Sequence, residues 1–590
     1  MSSALRTRKA VVAALAAAAL TAGAMINTAV AQKPDPDRVI KGQVMKSLLS
    51  AGGYAALVGP EADAIGGTAK SGKQNGRGAN ALVNDACLDK APGDIAGDAG
   101  ANDRVTQSET EIAVLNAPGS VGKKMVAGYN DSYGFYDNTQ GLSGYSYSTD
   151  GGKTWIDGGG LPPVGTTDQY FGDPLVATHN ASQTFYYASI YQTAGGRSTL
   201  SVNRGKFAVA PPQGTESVAN TLCLNNASRT GIPTAPVGQT ERIIWEAPVD
   251  AIPTGGSYAP GDFADKEWLY VDQGTGTLYV TYTNFKANGD TPLELVRSRD
   301  GGQTWQGPFT IVPNLNDTFN QATQPITTPD GRLVVTWFSR TFSLVTGQLT
   351  SQRIETATSV DDGETFASRV TVANVNPQAE PRGYNRGRTT ILNAPYIAAA
   401  KGNDDGIINA AEAAAPGFGN LYVTYFDGAT FPASAPYSRS AEIHLSTSTD
   451  GGATWGPEVT VNDDATATSH VFPTVQAGKN GEVYVGWLDR RLDPVDNLLT
   501  DTWASVSADL GATFAPSVRQ SDVSTGWFVR SDARPNFGDY NSSELIGGGQ
   551  FVLIWADGRF RPGPAATAAG PNVPGTPDVY FFKAKGLGTP

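Results

Sequence analysis

Cysteine and histidine are scarce in this chain: Cys87 and Cys223 are the only two thiols, and His179, His444 and His470 the only imidazoles, in 590 residues. Two cysteines exclude a disulfide-dense scaffold, and three histidines far apart in sequence make no zinc motif, so no metal site is assigned. Charged residues are equally sparse at 17%. No nucleophile elbow, phosphate loop or dinucleotide fingerprint occurs, which removes the enzyme classes those motifs serve. Past the N-terminus no apolar run is long enough to span a bilayer.

Turn formers are abundant instead, with 69 Gly and 37 Pro. That composition suits many short strands joined by tight turns, not a helix-rich fold. The N-terminus carries Arg6, Arg8 and Lys9, an Ala-rich apolar run from Ala10 to about Ala24, then Ala29-Val30-Ala31. Basic, apolar and small-residue zones in that order predict a secretory signal over 1–31, cleaved after Ala31. Its loss removes three positive and no negative charges, moving the formal balance from −13 to −16. An acidic exported chain is a poor partner for nucleic acid or an anionic membrane surface. In that compartment Cys87 and Cys223 can pair as one disulfide, and two unrelated thiols are the alternative.

One octet is written repeatedly. Ser-x-Asp-x-Gly-x-Thr-aromatic occurs at Ser148/Asp150/Gly152/Thr154/Trp155, Ser298/Asp300/Gly302/Thr304/Trp305, Ser359/Asp361/Gly363/Thr365/Phe366, Ser448/Asp450/Gly452/Thr454/Trp455 and Ser507/Asp509/Gly511/Thr513/Phe514. A worn copy, Ser201/Asn203/Gly205/Phe207, is one residue short. Asp bonds backbone a few residues on, Gly accepts positive φ, the hydroxyls add local bonds, and the aromatic opens a returning strand. The octet is a structural turn staple, with Asp150, Asp300, Asp361, Asp450 and Asp509 as hubs.

These five copies resemble the Asp-box (bacterial neuraminidase repeat) of the sialidase superfamily. The resemblance covers about 105–585 and implies an all-β fold, a β-propeller with the box between the third and fourth strands of a blade. Seven three-strand units can be traced, the last of them without a staple, so seven blades are expected with ring closure by an exchanged strand. Six blades, as in sialidases, is the alternative. Residues 32–104 read as an N-terminal extension, with helical spacing over 37–57 and a linker after it.

In a propeller the starts of the innermost strands surround the axis. Those starts carry Glu109, Glu111, Asp173, Asp265, Lys266, Glu267, Gln324, His470, Asp539 and Tyr540, while second strands end on Asn130, Asp131, Arg340, Asp427, Asp489, Arg490, Asp557 and Arg559. A sialidase clamps its sugar carboxylate with arginines and attacks with a Tyr, because guanidinium matches carboxylate and a neutral nucleophile is not repelled by an anionic sugar. By resemblance Tyr540, in Tyr540-Asn541-Ser542-Ser543, takes the nucleophile's place, with Asp539, Asp173 and Glu267 as the carboxylates offered for acid–base work. The only Arg between Ala101 and Trp155 is Arg104, so the clamp falls to Arg382, Arg386 and Arg388, joined by Lys266 and His470 as ligand-binding residues.

Lys401–Glu412 has the spacing of an EF-hand-like loop, with Lys401 where the first Asp ligand belongs. A polar insertion is favoured over a Ca²⁺ site, and no cofactor is required. The expectation is a monomeric, secreted or cell-surface propeller acting on extracellular glycan or glycoprotein. A glycoside hydrolase, a non-catalytic sugar- or protein-binding module, and a structural surface protein closed by Cys87 and Cys223 are the three readings the sequence leaves open.

Overall fold

The computed structural model describes residues 79–85 and 106–588, apart from loop segments of which the longest are 135–140, 220–239, 382–390, 429–439, 527–536 and 563–571. Cys87, Cys223, Arg382, Arg386, Arg388, Arg559, the 1–31 signal and the 37–57 segment lie outside the described residues.

Seven antiparallel sheets of four to six strands follow one another along the chain. Their innermost strands are Gln107–Val114, Leu175–His179, Phe263–Val271, Thr318–Thr327, Tyr396–Ala399, His470–Ala477 and Ser542–Ile546. Each packs against the next, and the seventh packs against the first, so the ring closes. The fold is a seven-bladed β-propeller, and the six-blade alternative falls away.

Closure uses an exchanged strand. Ala81–Leu82, read from sequence as part of the extension, pairs antiparallel with Asp578–Lys583 as the outermost strand of blade seven. The Val83 N–H donates to Val579 O at 2.9 Å, and the Asn84 amide bonds Asp578 Oδ1 and the Val579 N–H at 2.9 and 2.8 Å. On either side, the Asp85 N–H reaches Asp157 of blade one and Asn80 bonds Gln520 and Asp522 beyond blade six. Local pattern could not show this, because two residues have no period and their partner lies almost 500 positions away.

Each complete octet forms the expected staple between third and fourth strands. Ser148 Oγ donates to Asp150 Oδ1 and accepts from the Gly152 N–H, both at 2.9 Å. Asp150 also accepts from the Lys153 and Thr154 N–H groups at 3.0 Å and from Thr154 Oγ1 at 2.7 Å. The same Ser, Gly and Thr contacts recur around Asp300, Asp361, Asp450 and Asp509. The closing aromatic then reaches back to the preceding blade: Trp155 lies edge-on to Phe581 at 5.4 Å, and Trp455 Nε1 donates to Thr356 Oγ1 at 3.1 Å. The hydroxyl and amide of Thr365 hold the Asp361 carboxyl down at about 2, and the Thr454 pair does the same for Asp450. Replacing Asp300 with Ala is expected to cost roughly 1–2 kcal/mol, the usual loss when a capping acceptor leaves backbone donors unmatched, checked by urea denaturation.

The worn copy makes no turn. Ser201, Asn203 and Gly205 lie inside the strand Ser198–Ala210, which runs on to pair with Thr240–Trp245. Without the Asp hub there is nothing to gather the turn. Instead the Asn203 amide binds Tyr170 Oη at 3.0 Å and Glu246 O at 3.1 Å, and Gly205 leaves room for the Trp245 ring.

Candidate functional site

The inner strands share a local distortion that builds the head of the axis. Glu109, Asp173, Lys266, Ala322 and Phe472 occupy equivalent places and all have φ between 51° and 56°. In blades one, three, four and six the strand register slips there. Such β-bulges put two residues opposite one and re-aim side chains, at a backbone cost non-glycine residues rarely bear.

The result is a buried charge cluster at the head of the axis. Lys266 Nζ lies 2.5 Å from Asp539 Oδ2, 3.2 Å from Glu109 Oε1 and 3.7 Å from Asp173 Oδ2. Glu109 also accepts from the Asp539 N–H at 3.0 Å and from Asn130 Nδ2 at 2.7 Å, while Asn130 Oδ1 accepts the Asp173 N–H. Asp265 Oδ1 caps the Lys266 N–H, and Glu267 is buried beside them. Burial, then the neighbouring Glu109 carboxylate, drives the Asp173 carboxyl far above its ordinary range, and burial does the same to Glu267. For Lys266 burial pulls downward, but Asp539, Glu109 and Asp173 outweigh it and keep the ammonium charged. Glu109 and Asp539 are 0% exposed and Asp173 is 1% exposed.

Four of the predicted residues, Asp173, Lys266, Asp539 and Tyr540, therefore meet, with Glu267 next in the strand. The Tyr540 ring lies 5.9 Å from Lys266 Nζ, and its hydroxyl donates to Pro174 O at 3.0 Å. Burial, then Glu109 and Asp173, pushes that phenol well above its usual range. Sequence reasoning placed Glu109 among the axial strand starts but gave it no catalytic or binding role. A repeated local pattern was available to find the ring: Phe171-Gly172-Asp173, Phe263-Ala264-Asp265 and Phe537-Gly538-Asp539 each bury a Phe behind an axial Asp.

Below the cluster Trp268 packs edge-on against Tyr540 at 5.6 Å and Tyr396 at 5.1 Å. Past these rings the axis opens as a cavity of about 160 Å³ lined by residues including Glu111, Trp268, Tyr270, Gln324, Tyr396 and Ser543. Glu111 accepts from Ser542 Oγ at 2.6 Å and from Tyr396 Oη at 3.4 Å. Burial raises its carboxyl to about 8 against those two bonds, with Glu544 adding to the rise.

His470 stands apart from the Lys266 cluster, in a network between blades five and six. Its Nδ1 is 2.6 Å from Ala441 O, and its Nε2 is 3.0 Å from Asp464 Oδ1 and 3.4 Å from Asp489 Oδ2. Both ring nitrogens face acceptors, so both donate and the ring is an imidazolium held between blades. Burial lowers its pKa, but Asp489 and Asp464 prevail and raise it to about 9. Arg491 joins Asp489 at 2.7 Å and Asp463 at 2.7 Å, linking the two blades. Buried Arg490 instead bonds Thr500 Oγ1 and Asn497 O.

Both shifts carry a pH dependence of one sign. The folded His470 pKa of about 9 exceeds its unfolded value of about 6.5, so its ion pair contributes fully below the lower value and is lost as pH rises through the higher. Folded Glu111 holds its proton to about 8, so ionising it also costs stability as pH climbs from about 4.5. Thermal stability is expected to fall from about pH 4.5 to about pH 9. Glu111→Gln should flatten the fall below about pH 8, by roughly 5 kcal/mol, and His470→Gln the fall above about pH 6.5, by roughly 3 kcal/mol.

In the insertion of blade five, Lys401 Nζ contacts Tyr270 Oη at 2.5 Å. Glu412 closes a capping box, accepting from the Asn409 N–H at 3.1 Å while Asn409 caps the helix Ala410–Ala413. Asn403 and Asp405 likewise turn their oxygens to nearby backbone N–H groups. This is the bonding of a capped turn.

Seven blades, five Ser/Asp/Gly/Thr turn staples and a polar axis define a seven-bladed β-propeller. No family model matches the chain, and no curated protein matches it. Among solved structures it is similar to Trypanosoma rangeli sialidase in complex with sialic acid, at 13% identity over 75% of this chain and 59% of that one, with a TM-score of 0.39. It is similar also to the Hadza microbial sialidase Hz136, at 15% identity over 73% of each chain with a TM-score of 0.36. A Dyadobacter fermentans protein of unknown function matches at 15% identity over 50% of this chain and 76% of that one, with a TM-score of 0.32. These are likenesses of fold alone. Among the described residues no helix is long and apolar enough to cross a membrane.

Proposed function

We propose that the protein is an exported, monomeric sialidase-like propeller that binds extracellular glycan or glycoprotein without cleaving it. The observation that carries this reading is the sealing of the axial head. A glycosidase must bring two carboxyls to the sugar, yet Glu109, Asp173 and Asp539 are 0%, 1% and 0% exposed and gathered around a shared ammonium. The Tyr540 hydroxyl, which a sialidase would spend on the sugar, is donated to Pro174 O. Export rests on the N-terminal signal pattern, and the ligand class on the Asp-box resemblance.

A second reading, hydrolysis, has one observation in its favour. Glu109 and Asp539 both touch one ammonium, so their oxygens are no more than about 6 Å apart, near the roughly 5–5.5 Å used by retaining glycosidases. Incubating the purified protein chain from Gln32 with a glycan array, and assaying the supernatant for sugar, separates the two. Retention without release is expected. Released sugar that disappears in Glu109→Gln or Asp539→Asn would replace binding with hydrolysis.

A further inference from the structure

The axial cavity lies beyond the aromatic barrier of Trp268, Tyr396 and Tyr540, away from the charged head where a sialidase-like propeller is expected to work. Its wall contains two buried polar atoms with no hydrogen-bond partner among the described residues. Gln324 is 3% exposed: its Oε1 accepts the Ile397 N–H at 2.9 Å, but its Nε2 has no partner among the described residues. Ser543 is also 3% exposed, and its Oγ has no partner among the described residues either. Leaving such groups dry and unmatched costs about 1–3 kcal/mol each, so both are poised for a ligand or water.

Between these polar points the wall is apolar or aromatic, with Val176, Leu269, Ile326 and Ile397 beside Trp268 and Tyr396. Isolated hydrogen-bonding groups on an apolar surface suit a molecule with hydroxyls at its edge and C–H groups on its faces. Size narrows the choice. A cavity of about 150 Å³ accepts a benzene ring, so about 160 Å³ admits one six-membered ring and no polymer chain. Charge narrows it further: Glu111 keeps its proton to about 8 and offers an anion no positive charge, Glu544 lines the cavity, and its one lining lysine, Lys401, is placed against Tyr270. An anion would meet the Glu544 carboxylate with little compensation.

We infer that this cavity is a second binding site, taking a single neutral sugar ring, free or at the end of a glycan, through Gln324 Nε2 and Ser543 Oγ, and rejecting acidic sugars. The inference borrows its ligand class from the glycan-binding reading, but the site does not depend on the head cluster.

The test is calorimetric titration of the protein chain from Gln32 with glucose, galactose, mannose and N-acetylneuraminic acid. At least one neutral hexose should bind saturably at 1:1, and N-acetylneuraminic acid should not. Ser543→Ala and Gln324→Glu, which keeps the acceptor for Ile397, should each weaken binding about tenfold. Ala477→Phe, at a half-buried position on the wall, should abolish it while melting within a few degrees of the parent. Silence with all three hexoses, tighter binding of the acidic sugar, or affinities untouched by all three variants would overturn the site. Glycans retained on the array with the hexose titrations silent would remove this site and leave glycan binding standing. Hexose binding with an empty array would keep the site and remove the broader function.

Discussion

Lys266→Met is expected to lower unfolding stability by about 3–5 kcal/mol, the loss typical when one partner of a buried ionic group is removed. Its ammonium is the charge on which Asp539, Glu109 and Asp173 converge, at 2.5, 3.2 and 3.7 Å. Without it, carboxyls with essentially no exposure must either ionise in a medium that cannot solvate them or take up protons. Relative to the parent, the variant should therefore regain stability as pH falls from 8 to 5, whereas the deficit of an ordinary cavity mutant does not change with pH. Adding Asp539→Asn should restore part of the loss at pH 8, and a double-mutant cycle by chemical denaturation measures the coupling. An unchanged midpoint in Lys266→Met would mean the cluster contributes no net stability.

Removing the closing strand is the second large effect. A chain beginning at residue 86 is expected to lose roughly 5 kcal/mol or more relative to one beginning at residue 79, a sizeable share of a typical domain's margin. Val83 is 0% exposed in a core with Val552, Ile554, Val579 and Phe581, and its burial alone is worth about 1.5–3 kcal/mol. The strap also supplies partners that no other segment replaces: Asn84 to Asp578 and Val579, Asp85 to Asp157, and Asn80 to Asp522. Its loss opens an edge on blade seven and frees the ring to part between blades six and one. Val83→Asp in the full chain should reproduce most of the effect, followed by thermal melting. Equal melting of the two truncations would show that the ring closes without the strap.

Much of the architecture could be read in advance because it is local. An octet such as Ser298 to Trp305 carries hub, hinge and closing aromatic within eight positions, so its turn forms wherever it is written. The worn copy at Ser201 to Phe207 shows how narrow that legibility is, since losing the Asp and one residue turned a corner into strand. Strand starts were legible as well. Asp173, Lys266, Asp539 and Tyr540 were singled out by position and do meet, although the reading by resemblance could not foresee that the Tyr540 hydroxyl would be committed to Pro174 O. His470 opens its strand two residues before Phe472, the position equivalent to Lys266, and so joins Asp464 of the preceding loop and Asp489 of its own blade.

By itself the sequence determined the fold class, the radial repeat and the polarity of the axis, since turn chemistry and alternation act over a few residues and are copied from blade to blade. Tertiary structure decided what no short window holds: that Ala81 and Leu82 close the ring, that one lysine gathers acids from three blades, and that Trp268 walls off a cavity lined by Gln324 and Ser543. Those outcomes depend on which distant strands are brought within a few ångströms, and on burial, which turns ordinary carboxyls into groups that keep their protons.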